Sequence, residues 1–296
     1  NGAAERTYQG MKGYTEGTLY DVYACTVCDA SFVSPLVSDT KVYEHIYSQP
    51  ESVPGYERYV RYSKLVQQVS QPLQALADAE NVYWSIQQAL IKHFSTQDIS
   101  IVEIGSGLGY LTYSLNKAGY NARGIDISNE AVEKAIAAYD PYYEAGDILT
   151  LSDAYRKRYD CVIMTELLEH VEDPKRFMSA ALAMLKDVGT LIVTTPNKTW
   201  TPSGYLWGSD VPPIHLWWFA EKSISKLAVS LGRTCEFIDF TPFTSRFHEP
   251  LWYPTIEDFQ RGSPKMTQEG KYIGNAVDDD FKSKFLSIKV RYYLSY

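Results

Sequence analysis

The residues of this chain with the clearest chemical potential are the run Gly105-Ser106-Gly107-Leu108-Gly109 and, further on, Asp126. Glycines spaced this way let the backbone turn sharply and come close to a ligand that a Cβ would hold off. Ser100 to Ile104, apolar and largely β-branched around Glu103, precedes them as a buried strand. Leu108 to Ala118 then spaces its apolar residues as a helix does, and Asn121 to Ile125 resumes a strand. Asp126, with Ile127 beside it, stands where a carboxylate accepts hydrogen bonds from both hydroxyls of a ribose, so the ligand implied carries a nucleoside. A second group, Glu166-Leu167-Leu168-Glu169-His170-Val171, follows the strand-like run Tyr159 to Met164, at the end where open α/β sheets bind ligands. His215 is the third, inside Pro212-Pro213-Ile214-His215-Leu216-Trp217-Trp218-Phe219.

Spacing narrows the nucleoside. A dinucleotide fingerprint places its third glycine three residues after the second, whereas here Gly109 follows Gly107 by two and Tyr110 occupies the pyrophosphate-facing position. An NAD(P)-dependent oxidoreductase is thereby disfavoured, though it stays the first rival. The acid Glu103, the G-x-G-x-G run and the strand-ending Asp126 together resemble the class I S-adenosylmethionine (SAM) methyltransferases. That resemblance implies SAM as cofactor, held by Glu103, Gly105, Ser106, Gly107, Gly109, Asp126 and Ile127. It also implies that Asp147 hydrogen-bonds the adenine amino group, that Ile148 packs on the ring, and that Glu166 faces the methionine end. Specific motifs carry the resemblance over Val82 to Leu231; it is looser over Asp21 to Pro35 and topological thereafter.

The fold implied is α/β, a Rossmann-like doubly wound sheet of seven strands with an antiparallel last strand, plus an N-terminal cap and a C-terminal insertion. Residues 1–72 form the tyrosine-rich cap, 73–240 the SAM-binding core, and 241–296 the insertion with the last strand. Within this frame Tyr56 to Val69 and Leu73 to Phe94 read as helices, and Ser128 caps a helix carrying Val132, Ala135 and Ile136. Pro141 to Gly146 is a weak third strand. Asp173-Pro174 opens a helix that runs to Leu185 and ends at Gly189, before a strand from Thr190 to Thr195. Thr199 to Ala220, rich in proline, glycine and tryptophan, reads as a binding loop, and Glu221 to Leu231 as the helix after it. Thr234 to Phe240 and Lys284 to Tyr293 read as the final strands.

Composition sets outer bounds. With 296 residues, 45% of them hydrophobic, the chain can bury a sizeable core. A net charge of −8 offers no surplus of cations for an extended nucleic acid, so no such partner is expected. No apolar run approaches the roughly 18 residues of a membrane span, and the polar start is no secretory signal, so a cytoplasmic enzyme is expected. The four cysteines make no disulfide framework at this length. Cys161 and Cys235 read as buried strand residues. The stretch from Tyr23 to Leu36, with Cys25 and Cys28, resembles half of the zinc ribbon that opens bacterial methyltransferases of sugar and secondary-metabolite pathways. Structural zinc takes four ligands, and this pair supplies two.

Methyl transfer from a sulfonium is an in-line displacement, so positioning supplies most of the acceleration, while a hydroxyl acceptor still needs a base. His170 and His215 are the candidate catalytic residues. Glu166, Glu169 and His170 at i, i+3 and i+4 would share one face of a helical turn. In relatives such as the ubiquinone-pathway O-methyltransferases a similar E-x-x-E-H with a downstream histidine holds a divalent cation, and Glu166, Glu169, His170 and His215 could do so here. The same sequence also occurs in relatives without metal, and the expectation is no metal. The reading is a SAM-dependent methyltransferase acting on a small molecule, with a sugar or secondary-metabolite hydroxyl favoured. A catalytically silent SAM-binding module is the second rival.

Overall fold

The apolar runs flanking the glycine turn pair in parallel, as strands buried on both faces do. The computed structural model describes residues 4–48, 56–200, 211–246, 265–271 and 273. In chain order its elements begin with strands β1 (Ala4–Lys12), β2 (Leu19–Cys25) and β3 (Ser31–Ser34), then helices α1 (Thr40–Ser48), α2 (Glu57–Gln68), α3 (Pro72–Ala79) and α4 (Asn81–His93). Strands and helices alternate next: β4 (Ser100–Ile104), α5 (Tyr110–Lys117), β5 (Asn121–Asp126), α6 (Asn129–Ala138), β6 (Tyr143–Ala145), α7 (Ile148–Leu151), β7 (Tyr159–Thr165), α8 (Pro174–Met184) and β8 (Leu185–Thr194). The two-residue strand β9 (Trp217–Trp218), α9 (Glu221–Ser230) and α10 (Thr241–Thr244) follow. Among the described residues no helix is long and apolar enough to cross a membrane.

The chain divides into two compact units. One comprises Tyr47–Leu168 and Asp173–Thr195, and contains a five-stranded parallel sheet in the order β6-β5-β4-β7-β8. Its centre is dry: Ile101, Val102, Val162, Ile163 and Met164 are fully buried on β4 and β7. Local chemistry sets the helix starts. The Ser128 hydroxyl accepts the Ala131 N–H at 3.2 Å to cap α6, and the Asp173 carboxylate accepts the Arg176 N–H at 2.9 Å ahead of Pro174 in α8.

Several boundaries differ from expectation. The helical pattern from Leu73 to Phe94 breaks at Glu80, which is extended (φ −149°, ψ 138°) and separates α3 from α4. Gly189 does not end α8; Leu185 is already extended, β8 follows directly, and the register against β7 slips between Tyr159 and Cys161 to absorb the extra residues. Among the described residues Thr234 to Phe240 pairs with no strand, and Cys235 is exposed rather than buried, while Cys161 is buried as expected. Lys284 to Tyr293 lies outside the described residues, so the sheet counts five strands among those described, all parallel.

The other unit comprises Asn1–Ile46, Glu169–Glu172 and Pro196–Tyr296. It contains an antiparallel sheet in the order β1-β2-β3-β9. Met11, Tyr20, Val22, Val33, Leu216 and Trp218 form its core, and the half-buried rings of Tyr23, Phe32 and Trp217 follow one another with successive centroids 5.7 and 5.4 Å apart. Part of the expected aromatic loop is therefore strand, Trp217 pairing with Phe32 and Trp218 with Ser31. Residues 201–210 of that loop lie outside the described residues. Cys25 and Cys28 flank the turn after β2, closed by Cys25 N–H to Ala30 O and Asp29 N–H to Cys25 O, both 2.8 Å.

Gly124 sits where β5 passes the glycine turn, and a Cβ there would lie 2.7 Å from Ser106 Cβ and from Tyr143 Cδ1. Gly124→Ala is expected to destabilise the chain by about 1–3 kcal/mol through overpacking, lowering Tm by about 3–10 °C in thermal denaturation.

Candidate functional site

The glycine turn is stitched to the strand beside it. Gly105 and Ser106 N–H groups donate to the Ile125 carbonyl at 2.8 and 3.2 Å. The Gly107 N–H donates to Asp126 Oδ2 at 2.7 Å, and the Ser128 N–H donates to Asp126 Oδ1 at 2.9 Å. Gly105, Gly107 and Gly109 all have positive φ, +75°, +49° and +81°, but their surroundings differ. A Cβ would meet Leu167 at 2.8 Å at Gly105, and Ala135 and Tyr143 at 2.7 Å at Gly109, so these two serve close packing. At Gly107 the nearest atom is a Tyr47 ring carbon at 3.8 Å, which leaves that flank open for a ligand.

Around the open flank the polar groups are arranged for a nucleoside. Asp126 is 3% exposed, and burial raises its pKa against the opposing N–H groups of Ser128 and Gly107. Ile127 next to it is 75% exposed, an apolar surface at the carboxyl end of β5. Ser106 Oγ is buried with no hydrogen-bond partner. A buried carboxylate with accepting capacity left, an apolar side chain open to solvent and an unsatisfied hydroxyl fit the nucleoside of SAM. Glu103 plays a different part, since it lies behind the turn, 4% exposed, and accepts the Thr112 hydroxyl at 2.5 Å. Burial pushes its carboxyl up to about 8. Asp147 caps α7 by accepting the Leu149 N–H at 2.8 Å, and Ile148 is buried.

Glu166 ends β7 in a left-handed conformation, φ +47°, with its N–H shared between the carbonyl and hydroxyl oxygens of Thr194, each at 3.1 Å. Burial pushes its carboxyl up to about 7. This backbone turn removes Glu166 from the helical face expected to hold it with Glu169 and His170, which lie in a short 3-10 turn, Leu168–His170. Glu169, His170 and His215 do come together in the other unit: one potential ligand atom from each lies within 4.8 Å of the others. The two imidazoles are 4.8 Å apart between centroids, and Tyr43 meets His170 edge-on at 6.0 Å. His170 Nδ1 lies 2.6 Å from the Ile214 carbonyl, which can only accept, so Nδ1 carries a proton and the neutral ring keeps its lone pair on Nε2. Nε2 is 3.7 Å from Glu169 Oε1. Glu169 is 1% exposed, His215 4%.

A family model described as a methyltransferase domain matches residues 57–235. The chain belongs to the class I SAM-dependent methyltransferases. This methyltransferase domain is 32% identical over 117 residues to a ubiquinone biosynthesis O-methyltransferase of Methylococcus capsulatus, covering 38% of this chain and 49% of that one. The mitochondrial ubiquinone biosynthesis O-methyltransferase of Homo sapiens is 30% identical over 109 residues, 34% of this chain and 30% of that one. The chain thus spans half or less of the length of these curated relatives. Among solved structures, a SAM dependent methyltransferase from Archaeoglobus fulgidus is 17% identical, with a TM-score of 0.41 over 50% of this chain and 66% of that one.

The methyltransferase unit also holds a polar cluster that sequence reasoning passed over: half-buried Arg58 and Tyr59 with buried Glu80 and Tyr110, and Thr165 Oγ1 buried and unsatisfied at the end of β7. Arg58 and Glu80 sit in amphipathic helical stretches where charge reads as solvated surface, and only the burial of Glu80 sets it apart. Glu103 generates a pH prediction. Between its ordinary value of 4.5 and about 8 the folded chain holds a proton that the unfolded chain has lost, so this group's contribution makes stability fall as pH rises through that window. Glu103→Gln is expected to flatten that decline in denaturant midpoints measured from pH 5 to 8.

Proposed function

We propose that the chain transfers the methyl group of SAM to the hydroxyl of a small molecule, a sugar or secondary metabolite. The observation that carries the reading is Asp126, a carboxylate kept buried beside the open flank of Gly107 and the exposed Ile127. The hydroxyl preference is supported by the names of the curated relatives, which are O-methyltransferases, and the acceptor class by the cysteine-bearing opening from Tyr23 to Leu36.

Bound SAM supplies a methyl group already activated on a sulfonium. The chain's own work is then to orient it and to handle the acceptor proton. Asp126 and the glycine turn grip the nucleoside, with Glu103 holding the start of α5 from behind through Thr112. Asp147 and Ile148 are assigned to the adenine. His170 has its Nδ1 proton engaged by the Ile214 carbonyl, and so offers Nε2 to take the hydroxyl proton. His215, against the same ring, orients it or shares the proton.

The cluster geometry favours a second reading. Donors on opposite sides of an ion lie about 4.2 Å apart for bonds of about 2.1 Å, close to the spread of Glu169, His170 and His215, so these three would hold a divalent cation that polarises the acceptor hydroxyl. The carbonyl locking His170 Nδ1 is the outer partner a metal-bound imidazole ordinarily has.

Transfer of a labelled methyl from SAM to a panel of phenols and sugars tests both. Label is expected to reach a hydroxyl, and His170→Ala to lower kcat by about 10²–10⁴-fold with SAM affinity unchanged. Undiminished turnover in EDTA assigns the histidine as base; loss restored by a divalent ion assigns the cation. Binding of SAM without transfer to any acceptor would make the chain an interaction module instead.

A further inference from the structure

Away from the residues assigned to methyl transfer, the unit with the antiparallel sheet carries two thiols in unequal surroundings. Cys25 ends β2, and Cys28 lies three residues on, in the turn that leads to β3. The Asp29 N–H donates to the Cys25 carbonyl at 2.8 Å, so Cys25 to Asp29 make one helix-like turn, in which side chains at i and i+3 are neighbours. The Cys25 N–H donates to the Ala30 carbonyl at 2.8 Å. Lys198 Nζ holds Asp29, which has φ +62°, by its carbonyl at 3.0 Å and its carboxylate at 2.7 Å. The turn is thus anchored on both sides, while Thr26 and Val27 at its tip are exposed and both cysteines are half-buried, within reach of a small reagent.

The two sulfurs are hydrogen-bonded to one another but are not equivalent. Cys25 Sγ also accepts the N–H groups of Cys28 and Val27, and these bonds draw its thiol below the usual range. Burial pushes the Cys28 thiol the other way, while the ammonium of Lys226 on α9 favours the thiolate at both. Cys25 is therefore the better thiolate, and Cys28 keeps the proton that it donates to it. A stabilised thiolate beside a second thiol that stays protonated until it is needed is the arrangement that thiol–disulfide exchange uses. A closed structural metal site uses four ligands instead, and among the described residues no third cysteine, histidine or carboxylate joins this pair.

We propose that Cys25 and Cys28 form a reversible dithiol–disulfide site that takes small disulfides of the glutathione type as its oxidant. The Cys25 thiolate attacks one sulfur of the small disulfide, making a mixed disulfide and releasing one thiolate. Cys28 then gives up its proton and attacks the Cys25 sulfur, which closes the intramolecular disulfide and releases the second thiolate. The chain loses two hydrogens and two electrons, and the small disulfide becomes two thiols. Excess small thiol runs the same steps backwards.

Equilibration of the whole chain with oxidised and reduced glutathione in varied ratio, followed by alkylation, digestion and mass spectrometry, reads the site. The peptide holding both cysteines is expected to lose the mass of two hydrogens under oxidised glutathione and to regain it under the reduced form. In the reduced chain Cys25 is expected to alkylate about three- to tenfold faster at neutral pH than the exposed Cys235. Cys28→Ser is expected to stop at the mixed disulfide between Cys25 and glutathione, and Cys25→Ser to leave Cys28 with little adduct. Circular dichroism matching the unsubstituted chain shows that each variant folds. A mixed disulfide that accumulates on the unsubstituted chain without closing, Cys25 reacting no faster than Cys235, or thiols that oxidise only after zinc is chelated would each overturn the proposal.

Discussion

The Asp126 carboxylate, buried at the end of β5 and bonded to the N–H groups of Gly107 and Ser128, is the interaction on which the functional unit depends. Taking a carboxylate out of water raises its pKa, and two backbone N–H groups oppose that rise. Those same bonds fix the middle of the glycine turn to one strand end and begin the α6 cap, where the Ser128 hydroxyl takes over at Ala131. Geometry, charge and chain direction are thus settled together around one side chain. Gly105 and Gly109 then matter because leucine, alanine and tyrosine crowd where their Cβ atoms would be, while at Gly107 only the Tyr47 ring comes near, at 3.8 Å.

This centre was legible in the sequence because its signals are local. The strand, glycine turn, helix and acid span fewer than thirty residues, and each has a physical signature: β-branched burial, positive φ, 3.6-residue spacing, a strand-end carboxylate. The Ser128 and Asp173 caps were legible for the same reason. Gly189 misled because a glycine after a helical run signals a stop, whereas here the chain had already extended at Leu185 and the glycine lies within a slipped strand. Thr234 to Phe240 pairs with no strand among the described residues, and its expected neighbour, Lys284 to Tyr293, lies outside them.

What stayed hidden depends on distant pairing. The strand at Trp217–Trp218 exists because Ser31 and Phe32 pair with it across nearly two hundred residues. Period-two burial in β2, Tyr20 and Val22 inward, was a readable signal, but β1 is almost wholly exposed and polar and gave no matching pattern. Glu166 carries the same lesson within the site: spacing puts it on a helical face with Glu169 and His170, yet its left-handed backbone, held by Thr194, takes it elsewhere. The cluster of Glu169, His170 and His215 survives without it because residues 169–172 belong to the same unit as His215.

The account stands most directly on what binds at Asp126. Calorimetric titration of the purified chain with SAM and with NAD, repeated with Asp126→Ala, addresses it. Saturable binding of SAM alone, weakened about tenfold or more by the substitution through loss of charge-assisted hydrogen bonds to the ribose, is the predicted result. Binding of NAD in preference to SAM, or SAM affinity indifferent to Asp126, would contradict it.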